Sequence, residues 1–550
     1  MQDSKNLVIA IVLCLLILVG WSFLSERMGW VPKPDPAAVA QRQEQARQEA
    51  EAGKAQAART PSATLPDGSP LPAFTPAPGR EVTVRTPLYT AVFHTGGGIV
   101  RSFSLTRYRT GVDAGSPAIE MVDAAVAPFS PLGLVVNRQP SWSNGVWSYE
   151  GGDSYDVTEG APVTLTFTGE VDKVRVVREL TFSADTYLVK ERVRLATPEE
   201  RSRSVRLEFT VAADSRFAAG GNYDAMRVAW DNDGSLAEES SAEKLAAVVT
   251  QRGRIFWAGP TSTYFLMAVM PAVSDNVGLR AWTQEGVFRA SLEPREIIVE
   301  PGREAVCDVS YWIGPKERDR LLAVDAELAK SVDLGMFSLI GKGLLWLLEK
   351  FHGFTGNWGV AIVLLTVLIK AVFWPLTAKS YASMEQMRRL KPQMDEIRER
   401  CKDDKQAMNR EVMALYKTYG VNPASGCVPL LIQLPVFFGL YQALLTSIEL
   451  RHASFIACLP GTDMLWLADL SARDPYYITP IIMGATMFLQ QRFNPPASDP
   501  TQQKIMMALP FVFTVLFLSF PSGLVVYWLI NNVLSILQQW MMSRRQRLDR

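Results

Sequence analysis

Hydrophobicity in this chain of 550 residues is segregated rather than spread, and that constrains its fold more than any other feature. An apolar run over residues 7–24 precedes a long, mostly polar stretch, and further apolar runs fill the last third. Runs of this kind suit a bilayer, whose hydrocarbon core of about 30 Å takes about 20 apolar residues of helix. The chain reads as a polytopic membrane protein carrying a large soluble insert. Lys and Arg total 56 and so do Asp and Glu, so no basic surplus points to a nucleic-acid substrate.

Residues 7–24 follow Lys5 but exceed the usual h-region of about 7–15 residues, and Ser25-Glu26-Arg27-Met28 offers no small-x-small cleavage site. They read as an uncleaved anchor with residues 1–6 in the cytosol. Residues 25–80 are rich in Pro, Ala and Gln and read as a disordered linker. From residue 81 the pattern alternates with period two, in 82–84, 89–93, 163–167, 173–177 and 205–211. Many short strands over residues 81–332 predict an antiparallel β-sandwich domain. Its acids are dispersed and no hydrolase motif is present. Solvated strand faces account for those acids, while a sugar-binding or glycosidase role stays open because carboxylate pairs are invisible in sequence. The five cysteines and three histidines show no ligand spacing, so no metal or cofactor is expected. Cys307 and Cys458 would share an oxidising compartment, as a disulfide or as two free thiols.

Residues 333–352 have an apolar side and scattered charge, which fits a helix lying in the interface or a short core helix. Five spans follow, at 358–376, 427–447, 475–490, 506–520 and 524–541. Pro521-Ser522-Gly523 marks a tight hairpin between the last two, and segments this short imply local bilayer thinning. Residues 377–424 carry ten Lys and Arg, whereas the loop 448–474 has Arg451 and Arg473 against Glu449, Asp463, Asp469 and Asp474. The positive-inside rule puts the basic loop, the loop 491–505 and the basic tail 542–550 in the cytosol, and the β domain outside. Both ends of a six-span chain are then cytosolic.

Lys370 lies inside the apolar run 358–375. A mid-helix Lys costs about 2.5 to 3.5 kcal/mol on insertion scales, so it faces a cavity, a counter-charge or a substrate, or it snorkels to the interface. Thr366 lies one turn earlier on the same face. Gln433, Trp528, Asn531, Asn532 and Ser535 are further polar or amphipathic groups in spans, with Trp528, Asn532 and Ser535 on one helix face. Groove lining and helix–helix hydrogen bonding both fit the Asn pair. In the basic loop, Met384, Met387 and Met394 recur at helical spacing before Cys401, as does Met408 after it. Asp403 with Gln406 would cap the second helix, and Gly420 with Asn422-Pro423 would end it. The result is a helical hairpin, either simply solvated or drawn to anionic headgroups. Its methionines suit a surface that adapts to many apolar sequences.

Several ordered motifs then converge: Gly356-Asn357-Trp358-Gly359, Pro375-Leu376-Thr377, Val421-Asn422-Pro423, the stretch 426–435 (GCVPLLIQLP) and Phe520-Pro521-Ser522-Gly523-Leu524. Through these the chain resembles the YidC/Oxa family of membrane protein insertases, from end to end and in its Gram-negative form. The resemblance implies a bacterial inner-membrane protein and not an enzyme. It implies a hydrophilic groove within five spans, open to cytosol and lipid and closed toward the periplasm, with a positive residue that draws substrate in. That position is Lys370 here, where the family more often has Arg. Groove residues would include Thr366, Gln433, Trp528, Asn532 and Ser535, and the hairpin with Met384, Met387, Met394 and Met408 would receive the nascent chain. Implied partners are nascent membrane proteins, the Sec translocon, membrane lipids, and the ribosome or targeting factors at the basic hairpin and tail. The reading from another class is a secondary transporter or channel using Lys370 as a substrate or proton site, although no inverted repeat is visible. An enzyme in an anchored β domain would leave the intramembrane charge unexplained.

Overall fold

The structure, a computed structural model, describes residues 79–548 apart from 114, 215–224, 402–403, 422–427, 459, 461–463 and 494–499. The anchor at 7–24, most of the linker, Asp403 and Asn422-Pro423 lie outside the described residues.

Residues 81–315 form the expected β-rich domain. A nine-stranded sheet that includes Val163–Val171, Val174–Phe182, Ile255–Thr261, Phe265–Pro271 and Ala305–Pro315 packs on a six-stranded sheet that includes Leu207–Ala213 and Val287–Glu293. A five-stranded sheet, including Glu81–Arg85 and Tyr89–His94, adds its apolar face, with Phe93 edge-on to Phe182 at 5.4 Å. Pairing is antiparallel except between Glu81–Arg85 and Ser154–Asp156. The hairpin of Val163–Val171 and Val174–Phe182 turns at Asp172 and Lys173, both left-handed, the conformation that matches strand twist in a two-residue loop. A buried pair joins neighbouring strands of the nine-stranded sheet: Arg178 Nε meets Glu191 Oε1 at 2.5 Å while its other nitrogens donate to the Gly97 and Leu132 carbonyls. Tyr311 donates its hydroxyl to the second Glu191 oxygen at 2.8 Å, so the charges are fully solvated by protein. Cys307 and Cys458 are both free thiols.

The helices follow: α1 (Ser338–Thr355), α2 (Trp358–Arg389), α3 (Lys391–Arg400), α4 (Lys405–Thr418), α5 (Val428–Thr446), α6 (Ile478–Phe493), α7 (Pro500–Phe517) and α8 (Ser522–Leu548). Leu344, Leu345 and Leu348 of α1 are buried, while Leu339 and Phe354 stand more than four-fifths exposed. Gly341 of α1 and Gly439 of α5 meet so closely that a Cβ on either would sit 3.1 Å from the other's backbone.

The motif 356–359 has a local explanation. Gly356 ends α1 with φ of 68°, and its N–H donates to the His352 carbonyl at 2.7 Å. Asn357 accepts from Val360 N–H at 3.0 Å, which caps α2, and donates its amide to the Phe455 carbonyl. Trp358 stacks on His352 at 4.0 Å, and a Cβ at Gly359 would collide with the Phe455 ring. The hairpin 521–523 is pinned likewise: Ser522 N–H donates to Ala472 and its hydroxyl to Asp469, both carbonyls of the loop 448–474. That loop also joins the two bodies, because Ile448 is buried in the β-domain core and Leu450 in the helical core. Arg451 Nη2 donates to the Arg109 carbonyl at 2.8 Å.

Three differences from the sequence reading concern boundaries. Residue 376 does not end a helix: α2 continues through Pro375 to Arg389, the lost hydrogen bond being tolerated, and its last turns form the root of the basic loop. Helix α6 begins and ends three residues after the expected 475–490, and α7 begins six residues and ends three residues before the expected 506–520. Asp404, not Asp403, caps α4, accepting from Gln406 and Ala407 N–H.

Candidate functional site: a polar seam among α2, α5 and α8

Helices α2 and α8 lie side by side, and the character of their contact changes along its length. In the half nearest the β domain the buried residues are mostly apolar, Ala361, Ile362, Leu365 and Ile369 on α2 and Leu524, Val525, Val526 and Tyr527 on α8, with Thr366 and Ser522 buried among them. Toward α3 and α4 they are Thr377 and Ser380 on α2 and Asn532, Ser535, Gln538 and Gln539 on α8. An apolar plug thus gives way to a polar seam.

Lys370 stands at the change, 12 residues or about 18 Å along the helix from Trp358. Its half-buried amine donates to Ser535 Oγ at 2.7 Å, and Ser535 in turn donates to the Asn531 carbonyl at 2.7 Å. No carboxylate reaches ion-pair distance of the amine among the described residues, and Ser535 is its single hydrogen-bond acceptor there. An ammonium carries three donors, so two are left for water or a ligand. Gln433 of α5 closes the third side, donating to Asn531 Oδ1 at 3.0 Å and to the Tyr527 hydroxyl at 3.4 Å. Between them a small cavity of about 10 Å³, room for one water, is lined by Ile369, Lys370, Phe373, Leu376, Thr377 and Gln433.

The structure brings Lys370, Gln433 and Ser535 together and places the other expected residues differently. Thr366 is fully buried and donates back to the Ile362 carbonyl at 2.7 Å, so it serves the packing of α2 rather than the cavity. Asn532 faces α6, with its amide 3.5 Å from Thr486 Oγ1. Trp528 sits in an aromatic cluster with Phe437, Phe513 and Phe517, ring centroids 5.0–5.9 Å away, and its indole N–H has no acceptor among the described residues. In the hairpin, Met394 is 5% exposed and accepts from the Tyr416 hydroxyl, with Met387 packed on the same cluster. Met394 therefore builds the core between α3 and α4 instead of an open receiving surface, because two short helices need an apolar seam to pair. Met408 is half-buried, Met384 lies in the last turns of α2, and the open apolar residues of α4 are Met413 and Tyr419. Sequence reasoning missed Thr377, Tyr381, Gln538 and Gln539, although 532, 535, 538 and 539 share a helix face and that spacing was there to be read.

Residues 350–549 match the family described as 60Kd inner membrane protein, and residues 81–347 match the YidC periplasmic domain. A membrane protein insertase YidC of Nitratidesulfovibrio vulgaris (strain DSM 19637 / Miyazaki F) is 55% identical over 99% of this chain and 100% of its own length. One from Maridesulfovibrio salexigens is 47% identical over 99% of each. A solved structure described as an active YidC insertase with the first transmembrane domain resolved aligns at a TM-score of 0.35 and 16% identity over 85% of this chain and 93% of that one, too distant to add weight. With two family matches in tandem and full-length relatives at this identity, the chain belongs to the YidC family and is an inner-membrane protein insertase acting on nascent membrane proteins.

Proposed function

We propose that substrates are inserted along the seam among α2, α5 and α8, with Lys370 attracting the acidic or polar flank of the incoming segment. The observation that carries this reading is an amine held by one serine, beside a water-sized cavity, with no carboxylate paired to it among the described residues. A desolvated ammonium with two open donors attracts a carboxylate or a peptide carbonyl more strongly than bulk water would. The plug of apolar residues toward the β domain keeps the polar half from becoming a pore. Bringing polar groups part-way through a thinned bilayer lowers the barrier for a substrate's flank. Helix α6, with 16 residues or about 24 Å of length, fits such thinning, whereas Trp358–Met387 is long enough to cross fully.

In this reading six spans, counting residues 7–24, carry the chain with both ends cytosolic and residues 31–352 outside. The hairpin of α3 and α4 receives the nascent chain through Met408, Met413 and Tyr419. Its basic faces and the tail meet anionic lipid and the ribosome or targeting factors, and the Sec translocon is a partner for larger substrates. The experiment is reconstitution: purified protein in liposomes should insert a single-span protein with an acidic flank faster than its neutral-flank twin. Solute flux without insertion would favour a transporter and refute the proposal.

A further inference from the structure

One loop, residues 448–474, fastens the β domain to the helices. Toward the helices, its Ala472 and Leu470 carbonyls accept from Ser522 and Gly523 N–H at 2.7 and 2.9 Å, and its Phe455 carbonyl accepts from the Asn357 amide at 3.1 Å. The loop therefore holds the starts of α8 and α2. Toward the β domain, Arg451 donates to the Arg109 carbonyl and lies 5.7 Å from the centre of the Phe265 ring, which Tyr108 meets edge-on. Glu449 stands between these attachments, flanked by Ile448 in the β-domain core and Leu450 in the helical core. Apolar burial on both sides needs no carboxyl there, and a polar side chain at such a seam costs desolvation.

Two further carboxyls face Glu449: Glu317 from the N-cap of the short helix Arg318–Val324, and Glu349 from α1. Glu317 is matched, because Tyr108 donates its hydroxyl and Arg320 its Nε, each at 2.5 Å. Among the described residues no cation comes within ion-pair distance of Glu349 or Glu449. Around Glu349 the positive Arg318 and Lys350 are opposed by Asp319, while His452 of the loop faces Asp469 at 3.8 Å. Burial acts with the two like charges on Glu449 and pushes its carboxyl up to about 7, whereas a carboxyl released into water returns to about 4.3. The seated junction thus holds this proton more tightly than the parted one, so seating is strongest at low pH and weakens as pH rises through about 7.

We propose that residues 448–474 form a proton-dependent strap: neutral Glu449 lets the β domain seat on the helices, and its ionisation against Glu317 and Glu349 releases that seat. The bonds from the strap to α2 and α8 involve no titrating group and persist, so the β domain gains freedom while both bodies stay folded. The inference is independent of the path a substrate takes.

The test uses the full-length protein in lipid nanodiscs, its five cysteines replaced by serine, with spin labels on Ile298→Cys in the β domain and Phe354→Cys in α1, both exposed. The label-to-label distance distribution should be narrow at about pH 5 and broad at about pH 8, with an unchanged circular dichroism spectrum. Glu449→Gln should stay narrow at both values, and Glu349→Gln, which removes one like charge, should move the midpoint to lower pH. Equal distributions at the two pH values without either substitution, or a pH-driven broadening that survives in Glu449→Gln, would overturn the proposal. So would a Glu449→Gln distribution that is broad throughout, or a loss of strand signal at high pH, which would mean unfolding instead of release.

Discussion

Replacing Lys370 separates electrostatic attraction from every other contribution. In Lys370→Ala, Ser535 loses a donor but keeps its own bond to the Asn531 carbonyl, so no buried group is orphaned and the fold should hold. The substrate, in contrast, loses a charge-assisted hydrogen bond. Two unit charges 4 Å apart attract by about 4 kcal/mol at an effective dielectric of 20, and hydrogen bonds to charged groups contribute about 1.5–3 kcal/mol net once desolvation is counted. The lower range applies to a half-buried amine, so acidic-flank substrates should insert about 10- to 150-fold more slowly with Ala. Lys370→Glu should be worse, since attraction becomes repulsion, and Lys370→Arg should be tolerated because the charge is kept. The assay is initial insertion rate in liposomes, at equal protein abundance, for acidic-flank and neutral-flank versions of one substrate. Arg inactivating as fully as Glu would refute the reasoning, because a deprotonatable amine rather than a positive charge would then be required.

Glu449, in the turn between the two cores, has its carboxyl pushed up to about 7 by burial first and then by Glu349 and Glu317. The folded protein thus holds this proton more tightly than the unfolded chain, so the contribution is full at low pH and is lost as pH rises through about 7; melts at successive pH values should fall over that window and flatten in Glu449→Gln. A Cβ at Gly484 would collide with Thr514 Oγ1, so Gly484→Ala should cost about 1–3 kcal/mol in a thermal melt and Thr514→Ala in the same chain should recover most of it. Glu191→Gln should destabilise the β domain by about 3–5 kcal/mol, seen as faster proteolysis of the full chain, because Arg178 is left charged and buried. Cysteines placed at Ile298 and Met413, both exposed, should react with impermeant reagent from the periplasm and the cytosol respectively, and the reverse pattern would invert the topology.

Strands and helices were legible where one period dominated: 163–167 and 173–177 fall within the observed hairpin, and each apolar run of the last third became a helix. The candidate site was legible to the extent that it broke a pattern, as Lys370 does in an apolar run. Gln538 and Gln539 escaped notice, and Thr377 was read only as part of a motif, because they lie where apolar runs end, and polar residues there usually meet headgroups. Their burial depends on α2 and α8 extending together beyond the bilayer-length stretch, which hydropathy does not encode. The burial of the methionines was not legible because helical spacing alone does not say whether a face meets a partner helix or solvent. Met394 met Tyr416.

The central claim is that substrate passes beside Lys370, and site-specific photocrosslinking to stalled nascent chains addresses it directly. Photoreactive side chains at Phe373 and Leu376, which line the cavity with Lys370, would be compared with one at Leu489 on the open face of α6. The polar flank of a single-span substrate should crosslink at 373 and 376 before its apolar segment does, and weakly at 489. Flank crosslinks confined to 489, with none at 373 or 376 in an active protein, would contradict the account.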